Sequence, residues 1–404
     1  MTFQEYNKSI IPTCDGRVLV KPRSLINKIL IYVYLFNTIF IPYDNFGFKK
    51  LSFILLVVLN IDVVIKELSQ KNNGYTVLLF SIVLPLYTIF NSVVITGNVI
   101  GNFLSGYTGM ILLLYCVIKR FKIDFIRPFI YLLIILALFM DISAIIDLIG
   151  FQSVYANPIL QWMHKTSNGN IGKGARYVLG YYLFIKTSPM LLIALGYLMQ
   201  KKRYFISVAV LFALILSGTR ANAALGVLTF GICIFLVEKN KFKRIVMILV
   251  ISSFLGYILF GQDLLAKFLS YFVSKAGSDE IRSLTLPSIF ATWSKRPLSF
   301  ISGQGYSSEF FNMGRMAWSS DCELSYWNLL RRVGVFCFIL FMYCYAEPII
   351  RLSKKRVAFA VTFSYIAYLA GCYVNPLLYT STGVTVLLFM YVFVWENVYS
   401  KKTV

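Results

Sequence analysis

Apolar blocks of roughly 15 to 22 residues follow one another along almost the whole chain, separated mostly by short polar or basic connections. Blocks of that length match a helix crossing a hydrocarbon core about 30 Å thick. They are continuously apolar rather than alternating, so they read as helices and not as strands of a closed barrel. The pattern predicts an all-α polytopic integral membrane protein with about twelve transmembrane helices. The spans fall near 29–43, 51–66, 75–95, 103–118, 128–149, 179–199, 204–218, 222–237, 244–261, 324–345, 357–373 and 380–398. Residues 1–404 would form a single membrane domain, beginning with a mostly polar segment, 1–28. Two connections, 150–178 and 262–323, are long, and function concentrates in such loops.

Composition sharpens this picture. The chain is 58% hydrophobic and 14% charged, which excludes an ordinary soluble core. A net charge of +22 raises nucleic acid as a partner, but the charge sits in short clusters between spans: Lys119/Arg120/Lys122/Arg127, Lys201/Lys202/Arg203, Lys239/Lys241/Lys243/Arg244 and Arg351/Lys354/Lys355/Arg356. Such clusters set topology and do not bind nucleic acid. They put both termini in the cytoplasm and both long loops on the outer face; only Lys49 and Lys50 run against the scheme. No cleavable signal is expected ahead of the first span. The seven cysteines have no paired spacing, and His164 is the only histidine. No disulfide framework, zinc site or Ser-His-Asp triad is implied.

The candidate chemistry lies outside. Residues 263–277 place Leu264, Leu265, Phe268, Leu269, Phe272 and Val273 on one helical face. A second helix should open at the capping Ser278 and be interrupted at Pro287. Lys295 to Gly305 reads as a turn with close-packed backbone bordering a cleft. The outer side carries a surplus of cations that includes Arg176, Arg220, Arg282, Arg315, Arg331 and Arg332, and guanidinium forks suit phosphate oxygens. Arg220, at the end of an apolar run, has the strongest claim on an anion, the alternative being a snorkelling contact with lipid phosphates. Arg331 and Arg332 read first as interfacial cations. The outer carboxylates Asp279, Glu280, Glu309, Asp321 and Glu323 are candidate general bases, with capping and ion pairing as the alternatives. Asp321-Cys-Glu323 has weaker appeal as a divalent metal site. Asp141 and Asp147 could share a polar cavity within one span, without an evident cationic partner.

In their order, Ser217-Gly-Thr-Arg220, the outer loop carrying Arg282 and ending in Pro297 to Gly305, and Glu323-Leu-Ser-Tyr-Trp-Asn-Leu-Leu-Arg-Arg-Val-Gly334 resemble the bacterial O-antigen polymerase and ligase superfamily, the Wzy-type polymerases most of all. The resemblance implies a fold related to the lipid-dependent GT-C-like glycosyltransferases in the bacterial cytoplasmic (inner) membrane, with a periplasm-facing site. Its substrates would be undecaprenyl-pyrophosphate-linked glycans, both donor and acceptor, with no cofactor, no metal, and a chain-length regulator as partner. Carried onto this chain, Arg220 and Arg282 would grip the donor pyrophosphate. Arg176 would bind a second phosphate or the acceptor lipid. The resemblance leaves the base that activates the acceptor hydroxyl unnamed; among the outer carboxylates Glu323 is the first choice and Asp321 the second. The ligase branch has a histidine where this chain has Asp321-Cys-Glu323, which favours the polymerase; ligase and flippase or exporter are the alternatives.

Overall fold

The computed structural model describes residues 10–12, 18–20, 22–41, 44, 47–70, 74–97, 107–148, 171–174, 182–242, 244, 245, 249, 278–355 and 358–399. These are overwhelmingly helical, with three short antiparallel hairpins, of which Phe310–Asn312 paired with Ala317–Ser319 matters most below. Among the described residues, five helices are long and apolar enough to cross a membrane: Gly74–Ile95, Ile126–Ile146, Arg220–Val237, Ser325–Lys354 and Ser381–Tyr399. Three shorter apolar helices, Ser188–Gln200, Tyr204–Leu216 and Phe359–Gly371, pack among them. The last long helix is the most enclosed, with 72% of its span buried against 33% for Gly74–Ile95. Large apolar side chains on the outer helices, such as Phe90, Val94, Phe235 and Ile339, are exposed, as a lipid-facing surface requires.

Several expected spans are modified for identifiable reasons. The 51–66 block is divided into Phe48–Val58 and Ile61–Leu68. Asn60, fully buried at the break, returns its amide to the Leu56 carbonyl and exchanges hydrogen bonds with the buried Asn27 of helix Pro22–Phe40. A polar pair hidden among apolar helices is satisfied by breaking the helix that carries it. In the Gly74–Ile95 span, a π-helical segment, Leu79–Val83, immediately precedes Pro85, whose missing N–H would otherwise leave a gap in the ladder. Block 244–261 lies almost entirely outside the described residues, as do most of loop 150–178 and the amphipathic stretch 263–277.

Charge inside the bundle is paired. Glu347, buried in the Ser325–Lys354 span, bonds to Arg351 and accepts from the Tyr391 hydroxyl at 2.6 Å. Glu67 holds Lys119 at 2.5 Å. Buried Asp141 has one carboxylate oxygen unpartnered among the described residues; the Asp147 side chain lies outside them.

In the second long loop, helix Ser278–Lys295 runs through Pro287 without the expected interruption, because the proline lies on the exposed face where water can serve the carbonyl it leaves open. The opposite face carries Thr285, Ser288, Ile289 and Trp293. Ile289 and Trp293 join Phe310, Cys322, Leu324 and Leu330 in a small core distinct from that of the bundle. This core fastens the loop helix and the 310–319 hairpin to the start of the Ser325–Lys355 helix.

That last helix is broken by Gly334, at φ +77° and ψ 167°. The break releases the carbonyls of Arg331 and Arg332 from helical bonding, and the amides of Gln304 and Gly305 take them at 2.9 and 3.0 Å. The turn expected at 295–305 is a short helix, Leu298–Ser302, followed by this docked segment, with Gly303 at φ +84° and Gly305 at φ +88°. The backbones touch so closely that a Cβ on Gly334 would collide with the Ile301 carbonyl, and one on Gly303 with that of Arg332. Gly334→Ala should therefore cost at least about 2 kcal/mol, since left-handed strain and backbone overlap act together. Melting of the detergent-solubilised variant checks this; an unchanged midpoint would contradict the geometry.

Candidate functional site

The docked segment, the hairpin and the broken helix meet around Arg331, whose side chain is completely buried. One terminal nitrogen donates to Gln304 Oε1 at 3.2 Å, the Ser308 carbonyl at 3.1 Å and Ser308 Oγ at 2.8 Å. The other donates to the Ser320 carbonyl at 2.8 Å and Asn328 Oδ1 at 3.1 Å. The guanidinium lies 4.7 Å from the centre of the Phe310 ring. A cation that cannot be discharged is held here by dipoles and a π face alone, with no carboxylate ion-paired to it among the described residues. Arg331 thus clamps together the two stretches, 304–308 and 320–321, that flank its neighbour.

That neighbour, Arg332, lines a cleft of roughly 560 Å³ with Tyr107, Thr108, Tyr306, Ser307, Glu309, Ser320, Asp321, Tyr379, Thr380 and Ser381. The volume falls in the ~300–1,000 Å³ range of small-molecule sites. Every wall residue carries a polar group, eight of the eleven a hydroxyl. The helix beginning at Ser381 starts at this cleft, with Thr380 as its cap. That helix start brings a partial positive charge of roughly half a unit to the wall.

The walls are tied to distant parts of the chain. Tyr306 N–H donates to Ser92 Oγ at 2.7 Å, and Asn91 donates to the Ser302 carbonyl at 2.6 Å. Tyr306 stacks on Tyr379, ring centres 5.5 Å apart and planes 7° from parallel. Ser325 Oγ donates to the Asn375 carbonyl at 2.6 Å and steadies the turn before Tyr379. Arg332 Nε is buried without a hydrogen-bond partner among the described residues, whereas the Tyr306 hydroxyl, in a residue only 2% exposed, lies against Thr88 and Tyr379. An unpaired buried donor in a cleft wall is a position where a ligand would supply the missing acceptor.

Of the residues singled out in the sequence, the fold joins Arg282 to Glu323. Arg282 Nε and Nη2 reach Glu323 Oε2 at 2.9 and 2.8 Å, and Arg315 approaches the other oxygen at 3.6 Å. Asp321 stands beside Arg332 at 3.8 Å. Its Oδ1 also accepts from Asn328 and from the Cys322 N–H at 3.0 Å. Arg220 begins helix Arg220–Val237 and is partly buried, just past a Ser217-Gly218-Thr219 turn with Gly218 at φ +71°. Asn222 secures that turn through Ser217 and Ser188. Arg176 lies outside the described residues. Burial pushes the Cys322 thiol up, so it remains protonated beside the site and is a poor nucleophile. No group of three His, Cys, Asp or Glu side chains gathers as a metal cage among the described residues.

Tyr107, Thr108 and Tyr379 to Ser381 escaped the reading of the sequence. The one available signal was Thr380-Ser381 ahead of an apolar run, a helix start, and Thr380 Oγ1 does accept from Gly383 N–H. No family model matches the chain, and no curated protein is detectably similar to it.

Removing the clamp should loosen this site. Arg331→Ala leaves the acceptors of Gln304, Ser308, Ser320 and Asn328 without their donor, at a cost on the order of 3 kcal/mol or more. Arg331→Lys should recover only part of it, because an ammonium cannot span both walls. Thermal melting of the purified variants would decide; equal midpoints for wild type and Arg331→Ala would refute the clamp.

Proposed function

We propose that this protein is a polymerase of lipid-linked oligosaccharide repeat units, a glycosyltransferase of the Wzy type. It works at the outer face of the bacterial cytoplasmic membrane, with both termini in the cytoplasm and a helical fold of about twelve spans related to the GT-C-like enzymes. The growing chain leaves its undecaprenyl pyrophosphate and is joined to a sugar hydroxyl of a new lipid-linked repeat. The observation that supports this reading best is the polar cleft where a loop subdomain meets apolar helices: a glycan can sit there while its polyprenyl tail remains in lipid. The ordered motifs around Arg220, Arg282 and Glu323 to Gly334 point the same way.

Arginines held in place near the leaving pyrophosphate stabilise the charge that develops as it departs. Arg220 and Arg282 take that role, with Arg176 on the acceptor lipid or a second phosphate. Arg282 must then trade part of its contact with Glu323 for phosphate, a small loss for a partly exposed pair. The resemblance leaves the base unnamed; Glu323 and then Asp321 are the carboxylates chosen from the sequence for the acceptor hydroxyl. A chain-length regulator is the expected partner.

The test compares surface and lipid-linked glycans from a strain lacking the gene with strains restored by wild type, Arg220→Ala or Arg282→Ala. Loss of the polymer ladder, with single repeats still reaching the surface, is the expected result for the deletion and for both variants. Arg→Lys should rescue poorly because the bidentate fork is lost. Long chains trapped on their carrier lipid would instead mark a ligase, and a ladder unchanged by deletion would end the polymerase reading.

A further inference from the structure

Resting on that polymerase reading, the geometry points to the cleft as the subsite for the hydroxyl-bearing end of the acceptor glycan, not for either pyrophosphate, with Glu309 as the group that takes the acceptor hydroxyl's proton. Charge is the first argument. The cleft sets two carboxylates, Glu309 and Asp321, against one guanidinium, Arg332. The helix start in its wall, at Ser381, adds only about half a positive charge, so no positive surplus is left for a multiply charged pyrophosphate. A wall of hydroxyls, phenols and carboxylates, with no aliphatic residue, matches a polyhydroxylated, uncharged ligand and offers nothing to a polyprenyl tail. The unpartnered Arg332 Nε is a donor for a sugar oxygen.

The second argument separates the carboxylates. Glu323 has an arginine at each oxygen and does not line the cleft. Asp321 Oδ1 is committed to Asn328, the Cys322 amide and Arg332. Glu309 is exposed, lines the cleft and has no hydrogen bond or ion pair among the described residues. Its lone pairs are uncontested, while Asp321, held in a fixed orientation, can position the same sugar through Oδ2. Glu309 follows directly on Tyr306 to Ser308, the segment held by Ser92 and Arg331, so an exposed side chain is carried on an anchored backbone.

In the transfer, the acceptor hydroxyl oxygen bonds to the anomeric carbon of the donor glycan. The bond from that carbon to the pyrophosphate oxygen breaks, and its electron pair leaves with the lipid pyrophosphate. The hydroxyl proton passes to a Glu309 carboxylate oxygen and from there to water, which restores the carboxylate. One glycosidic bond is formed, one glycosyl phosphate bond is lost, and no further reactant is consumed.

Glu309→Gln distinguishes the two possible roles of the cleft by sign. At a hydroxyl subsite it removes the base and should lower polymer formation about 100-fold or more, with lipid-linked single repeats accumulating. At a pyrophosphate subsite it removes a repelling charge and should leave polymer unchanged or increased. The measurement is the glycan ladder of the deletion strain carrying wild type, Glu309→Gln or Glu309→Asp, with membrane levels by immunoblot and melting of the purified full chain. Loss in Glu309→Gln at normal level and midpoint, with partial recovery in Glu309→Asp, is expected. A ladder kept or strengthened by Glu309→Gln overturns this inference alone, as does loss accompanied by a collapsed midpoint. A ladder that survives deletion of the gene removes the polymerase reading itself and this role with it.

Discussion

A guanidinium enclosed by protein, without a carboxylate to neutralise it, must be surrounded by oxygen dipoles from several directions, and that demand organises the site. Arg331 draws Gln304 and Ser308 from one side and Ser320 and Asn328 from the other. The segments it gathers become the walls of the cleft. The same requirement gives the glycines their purpose: Gly334 opens the helix so that the carbonyls of residues 331 and 332 can bond outside it, and Gly303 lets a second backbone come close enough to do so. Replacing so demanding a cation by apolar residues is often tolerated in a core. Here the cation joins segments whose spacing is the site.

Positive charge is handled in three ways. Arg331 is solvated internally, Arg332 faces the cleft beside Asp321, and Arg282 shares Glu323 with Arg315. Only the second and third arrangements can exchange a protein contact for a ligand. The partly exposed carboxylate pairs are weakly bound, whereas the Arg331 network would leave several buried acceptors stranded if it opened. Adaptable contacts are therefore mounted on an inflexible one.

Much of the architecture was legible because the relevant signals are local. Long apolar runs gave the helices, and Lys295 to Gly305 announced a close-packed turn beside a cleft. What escaped depends on contacts between distant residues. Nothing in the sequence tells Arg331 from Arg332, yet neighbours on a helix point about 100° apart, and one is interred while the other lines the cleft. Glu323 looked available because its partner Arg282 lies 41 positions away. The block at 51–66 looked continuous because the buried partner that breaks it at Asn60 belongs to the preceding helix. Pro287 suggested an interruption that the exposed face of its helix made unnecessary.

The stacking of Tyr306 on Tyr379, together with the bond from Tyr306 to Ser92, has a consequence for biosynthesis. The cleft takes one wall from Tyr107 and Thr108, one from the loop subdomain, whose Tyr306 is bonded to Ser92, and one from the turn before the last long helix. A ribosome delivers these parts in order, so the early helices must enter the membrane and wait beside an unfinished site until Tyr379 emerges. Everything before Tyr379 is made before the chain possesses a cleft at all. A nascent chain therefore has no opportunity to engage a ligand there while it is still being inserted.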